Sequence, residues 1–126
     1  MQPLLDTIRD VSVEVDILDE YDEEGMAFVC ITFQGGFSLK CCFWRLLNQN
    51  KRQLSSFDHQ QKYGLVDSIN AKSELKKLID GIQVSSVTLD DETGDLVVQF
   101  LNGFKFQALN LTGYEDWAFH FAYENF

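Results

Sequence analysis

Two phenylalanine-flanked glycine turns, Phe33-Gln34-Gly35-Gly36-Phe37 and Phe100-Leu101-Asn102-Gly103-Phe104, stand 100 − 33 = 67 residues apart in a chain of 126. The same offset lays Val29 and Ile31 on Leu96 and Val98. Each turn joins runs in which apolar residues recur at every second position, the period of a half-buried strand, and Asn102-Gly103 is a strong short hairpin signal. A three-stranded meander cannot bury its apolar face alone, so two related meanders must pack together or lie side by side in one curved sheet. The chain is therefore read as a single domain, 1–126, with similar halves at about 10–44 and 82–123 and a connection at 45–81.

Val11, Val13, Val15 and Ile17 alternate with Ser12, Glu14, Asp16 and Leu18 and predict the first strand. Met26 to Phe33 and Phe37 to Trp44 predict the second and third. From Arg45 to Ile69 no period is sustained, and Asn48, Gln49, Asn50, Gln53, Ser55, Ser56, Gln60 and Gln61 read as a surface connection. Asn70 to Ile79 predicts a helix with Leu75, Leu78 and Ile79 on one face, Ser73 as a cap and Gly81 as the stop. Ile82–Asp90, Asp95–Leu101, Phe104–Leu111 and a last strand from Trp117 to Tyr123 complete the second half. The expected class is mainly β (α+β): two antiparallel three- to four-stranded meanders forming a sandwich or curved sheet, with one helix in the connection. Eleven Phe, one Pro and a 45% hydrophobic fraction agree with a sheet-rich core.

Charge is segregated along the chain. Residues 1–39 carry a net charge of −8, residues 40–77 carry +5 and residues 78–126 carry −7, within a total of −10. That balance speaks against nucleic acid as a direct partner, because phosphate contact requires a basic face. The acids concentrate in the loops before the two middle strands. Glu20, Asp22, Glu23 and Glu24, with Tyr21 among them, form one cluster, and Asp90, Asp91 and Glu92 form the other. Solvated turns are the plain reading of any single acid. Two clusters at corresponding places fit a docking surface for a basic protein, with Tyr21 as its aromatic anchor. The run Asp90-Asp91-Glu92-Thr93-Gly94-Asp95 has oxygen donors and a glycine, but it lacks a twelve-residue calcium loop with a closing Glu.

Nothing in the spacing carries catalysis. His59 and His120 stand far apart, and Cys30, Cys41 and Cys42 have no metal-type spacing. A Cys42–His120 pair is the one conceivable nucleophile and base, and both glycine turns lie in hairpins rather than between a strand and a helix as a phosphate loop requires. No enzyme activity, cofactor or metal is expected. An odd number of thiols, no signal-peptide pattern and no long apolar run lead to the expectation of a reduced, cytoplasmic protein without a membrane partner.

The segment Leu78-Ile79-Asp80-Gly81-Ile82-Gln83-Val84, followed by Gly94-Asp95-Leu96-Val97-Val98-Gln99-Phe100, Asn102-Gly103 and the closing Tyr114-Glu115-Asp116-Trp117, resembles a family of small bacterial two-repeat β proteins of unassigned function. Their Tyr-Glu-x-Trp closing motif is shared, and similar acidic domains serve as immunity proteins in contact-dependent inhibition systems. The resemblance covers residues 78–119 best and supplies no catalytic motif. It implies an immunity protein that neutralises a cognate toxin, a nuclease above all, by covering its basic active site. In the closing motif itself the aromatic pair is expected to cover one end of the core while its acids take up backbone donors, with Trp44 in a similar part. The alternative is a structural or regulatory β module, a homodimer joined through a strand edge at Val11–Leu18 or Trp117–Tyr123.

Overall fold

The computed structural model describes residues 2–19, 22–112 and 116–121, without the side chains of Asp22 and Phe121. Its strands are β1 (Val13–Ile17), β2 (Val29–Phe33), β3 (Phe37–Cys41), β4 (Trp44–Asn48), β5 (Lys51–Ser55), β6 (Val84–Leu89), β7 (Leu96–Phe100), β8 (Phe104–Ala108) and β9 (Trp117–Phe121). A short helix, α1 (Gln2–Leu5), precedes them, and α2 (Ala71–Ile79) lies in the connection. The fold is mainly β, as the alternation predicts. One antiparallel sheet has the order β1-β2-β3-β9 and the other the order β5-β4-β8-β7-β6.

Both sheets contribute to one continuous core. Val13, Val15, Ile31, Phe33 and Leu39 from the first meet Trp44, Leu46, Val87, Leu96, Val98 and Phe106 from the second. Each such side chain contributes roughly 1.5–3 kcal/mol relative to exposure, which makes burial the dominant stabilising term. Trp44 and Phe106 stack with ring centroids 5.8 Å apart, and Phe33 meets Phe119 at the same separation.

The strand order reveals a reciprocal crossing. After β3 the chain passes through Cys42-Phe43 into the other sheet, where β4 pairs with β8. After β8 it returns, and β9 pairs with β3. The registers coincide under the 67-residue offset: Val29 faces Cys41 as Leu96 faces Ala108, and Ile31 faces Leu39 as Val98 faces Phe106. Cys41 then faces Trp117 as Ala108 faces Trp44. The last strand thus joins the first half's sheet, and its expected end at Tyr123 lies outside the described residues.

Two expectations are corrected in the middle of the chain. Residues 45–69 are not a plain surface connection, because Trp44 opens β4 instead of closing β3, and β4 and β5 form a hairpin. Its turn residues Gln49 and Asn50 both take left-handed backbone, with φ of 52° and 67°. The helix cap is Asn70, whose side chain accepts the Ser73 N–H at 3.1 Å, so Ser73 is the recipient of the cap.

Two of the four outer strands, β1 and β6, have edge groups taken up by side chains. Asp80 Oδ1 accepts the Val15 N–H at 2.8 Å and Lys76 Nζ donates to the Val15 carbonyl at 2.9 Å, so α2 covers the edge of β1. On β6 the Gln2 amide spans the Val87 carbonyl at 3.0 Å and the Leu89 N–H at 2.9 Å. Self-pairing through Val11–Leu18, one route for the expected homodimer, would have to displace the bonds at Val15.

Candidate functional site

Both acidic connections open onto the end of the frame where the chain crosses between sheets. The first leads into β2 at Val29, opposite Cys41, and the second leads into β7 at Leu96, opposite Ala108. The crossings themselves touch: the Leu109 N–H donates to the Phe43 carbonyl at 2.8 Å, and the Cys42 N–H to the Asp116 carbonyl at 3.4 Å.

Glu20, Tyr21 and the side chain of Asp22 lie outside the described residues. The backbone Asp22–Glu24 makes a single 3₁₀ turn, with Glu23 and Glu24 exposed. Glu24 lines a cleft of about 230 Å³ together with Met26, Cys42, Phe43 and Phe57. In the second cluster Asp90, Asp91 and Glu92 are all exposed, and Asp90 is also bonded back onto its own loop. Its Oδ1 accepts the N–H groups of Glu92 at 2.9 Å and Thr93 at 3.3 Å, which makes it a former of the turn. Asp95 likewise accepts the Asn110 N–H at 2.7 Å. Gly94 stands at φ +79°, and a Cβ there would lie 2.6 Å from the Asn110 side-chain nitrogen. The loop is held from both sides, and Asp91 and Glu92 project from it.

Asp116 of the closing motif accepts three hydrogen bonds, from the N–H groups of Leu111 at 2.7 Å and Thr112 at 2.9 Å and from the Thr112 hydroxyl at 2.8 Å. Burial raises its pKa, but these donors outweigh burial and hold the carboxyl below its ordinary value. Tyr114 and Glu115 of the same motif lie outside the described residues.

A second polar centre has no counterpart in the sequence reading. Asp58, 3% exposed, receives the Ser55 N–H at 2.9 Å and the Tyr63 hydroxyl at 2.9 Å, and it is paired with Arg52. Burial again raises the carboxyl, and the Ser55, Arg52 and Tyr63 bonds bring it below the usual range. Next to it, buried His59 accepts the Ala71 N–H at the start of α2 through Nδ1 at 3.1 Å. Lys72, 2% exposed, donates to the Leu18 carbonyl at 2.7 Å. The signal available in the sequence was Ser55-x-x-Asp58, a capping-box pattern at the 3₁₀ turn Ser56–Asp58.

The thiols are held in the form opposite to a nucleophile. Burial raises all three, with Asp116 adding to the effect at Cys42 and the neighbouring thiols at Cys41. The Cys42–His120 pairing fails on register: Cys42 follows Cys41, which faces Trp117, while His120 faces Ser38 near the far end of the same ladder. Among the described residues no three His, Cys, Asp or Glu side chains converge as metal ligands. No helix among them is long and apolar enough to cross a membrane.

Comparison of the chain with protein-family models, with characterised proteins and with solved structures finds no match.

Proposed function

We propose that this chain is a non-catalytic immunity protein, acting in the cytoplasm, that binds a cognate toxin domain and covers a basic, substrate-binding cleft. One observation carries the reading: the exposed acids Glu23 and Glu24 and the exposed acids Asp91 and Glu92 belong to loops that enter β2 and β7 at one end of the frame. Negative potential concentrated at one end speeds encounter with a basic surface and excludes acidic partners. The second loop is braced by Asp90 and Asp95, so little ordering cost attends its association.

The test is a stopped-flow measurement against the purified C-terminal domain of the polypeptide encoded immediately upstream. Replacing Glu23, Glu24, Asp91 and Glu92 by Lys should slow association about tenfold or more at low salt and flatten its salt dependence. Association that is fast and equally salt-sensitive in the variant counts against the acidic end. A stable homodimer with no affinity for that domain favours the structural module acting through self-association.

A further inference from the structure

Of the eight exposed large apolar side chains among the described residues, Phe57, Tyr63, Leu65 and Val66 fall within one stretch of ten, and Val66 is 91% exposed. Phe57 lies in the 3₁₀ turn Ser56–Asp58, and the loop 60–69 that carries the other three is fixed at its base. The Gln60 N–H donates to the Ile69 carbonyl at 2.7 Å, and the Ile69 N–H donates to the Gln61 carbonyl at 2.8 Å. At its tip the Leu65 N–H donates to the Lys62 carbonyl at 2.7 Å, closing a turn in which Tyr63 and Gly64 both have positive φ, 46° and 82°. Left-handed backbone is costly for a bulky side chain and persists only where the surroundings enforce it. Here the enforcement is the bond from the Tyr63 hydroxyl to buried Asp58. A buried carboxylate thus holds a strained turn whose effect is to display Leu65 and Val66 to water, and a cluster of this kind marks a contact surface.

We infer that the loop 60–69 is a preorganised docking element, and that its occupant is a protein surface that is apolar at the centre and basic around it. This inference rests on the binding role proposed above and adds the part of the interface that holds the partner once it has arrived. The rim decides the occupant. Glu24 lines the cleft beside Phe57, Asp19 lines the cleft beside Gln60, and Asp67 and Glu74 line a groove of about 390 Å³ floored by Leu54, Leu65, Ile69 and Leu78. Of the bases nearby, Arg52 is committed to Asp58, Lys72 donates to the Leu18 carbonyl and stands 3.9 Å from Asp19, Lys77 meets Glu74 at 3.4 Å, and Lys62 is the exposed base of the loop itself. That leaves Glu24 and Asp67 as the rim acids without a basic partner among the described residues. A second copy of the chain would set these carboxylates against each other at a net charge of −10 per copy, so a basic partner is favoured over self-association.

Charged rims act mainly on association, and apolar anchors act mainly on dissociation. The double variant Leu65→Ser/Val66→Ser should therefore leave the thermal midpoint unchanged and the association rate within about twofold, while the complex with the upstream-encoded C-terminal domain dissociates at least about tenfold faster. If the wild-type chain binds that domain and the variant dissociates at the same rate, the loop is not the docking element and the acidic-end reading stands without it. If the wild-type chain does not bind the domain, the functional reading itself falls and takes this inference with it. Light scattering supplies the remaining outcome: a wild-type dimer that the double variant converts to monomer assigns the surface to a second copy and overturns the basic partner.

Discussion

The indole N–H of Trp117 donates to the carbonyl of Gly94 at 2.8 Å, and Trp44 makes the matching bond to the carbonyl of Ala27, also at 2.8 Å. Ala27 and Gly94 are related by the same 67-residue offset as the glycine turns, so each crossing strand begins by anchoring an indole to the approach of a middle strand. Trp44→Phe would keep most of the ring and leave the Ala27 carbonyl without its donor in the core. A loss of about 1–3 kcal/mol is expected in urea unfolding. Trp117 is only partly buried, and Trp117→Phe should cost less than the same change at Trp44.

Acid should weaken the fold through Asp58 and Asp116. Both carboxyls are held below their ordinary value in the folded chain, so the stability they contribute is complete above the ordinary Asp range near pH 4 and is lost as pH falls through the folded values. Asp116→Asn should be less stable than wild type at neutral pH and should show a shallower decline between pH 5 and about pH 3. Urea midpoints measured across that interval check the sign, and parallel curves for the two proteins would exclude Asp116 as a source of the acid sensitivity.

The Tyr63 hydroxyl should govern the loop more than the fold. Tyr63→Phe removes one bond at an exposed residue, so global stability should fall by less than about 1 kcal/mol. Amide hydrogen exchange at residues 61–68 should accelerate while the strands keep their protection. Uniform acceleration across the chain would show that the bond serves the core instead.

Side-chain closure of the sheet edges can be tested by removal. Asp80→Ala frees the Val15 N–H and Gln2→Ala frees the Val87 carbonyl and Leu89 N–H. Each change should cost about 1 kcal/mol, and the double variant should self-associate more than the wild type, as light scattering would record.

Much of the frame is legible because its strands have one wet face. In β1, Val13 and Val15 are buried while Glu14 and Asp16 are exposed, which is the alternation the sequence displays. The β5 strand is invisible to that rule. It lies at the edge of its sheet, so Lys51, Arg52 and Gln53 all meet solvent and no alternation is written into them. Its turn uses Gln49 and Asn50 in left-handed backbone without a glycine to advertise it. The crossings are illegible for a different reason, since pairing of β9 with β3 rests on residues some eighty positions apart, and local pattern carries no record of it. Among the candidate acids, exposure of Glu23, Glu24, Asp91 and Glu92 follows from their loops. The turn-forming part of Asp90 depends on its own backbone, and the Asp58 centre depends on Arg52 and Tyr63 folding back upon it.

Because each half lends its closing strand to the other's sheet, the molecule has the topology of an intertwined dimer written on one polypeptide. A single nick between β5 and α2 leaves two fragments, neither able to complete a sheet of its own: one lacks β9 and the other lacks β4 and β5. Such fragments are expected to fold only when mixed, each supplying the strands the other's sheet lacks.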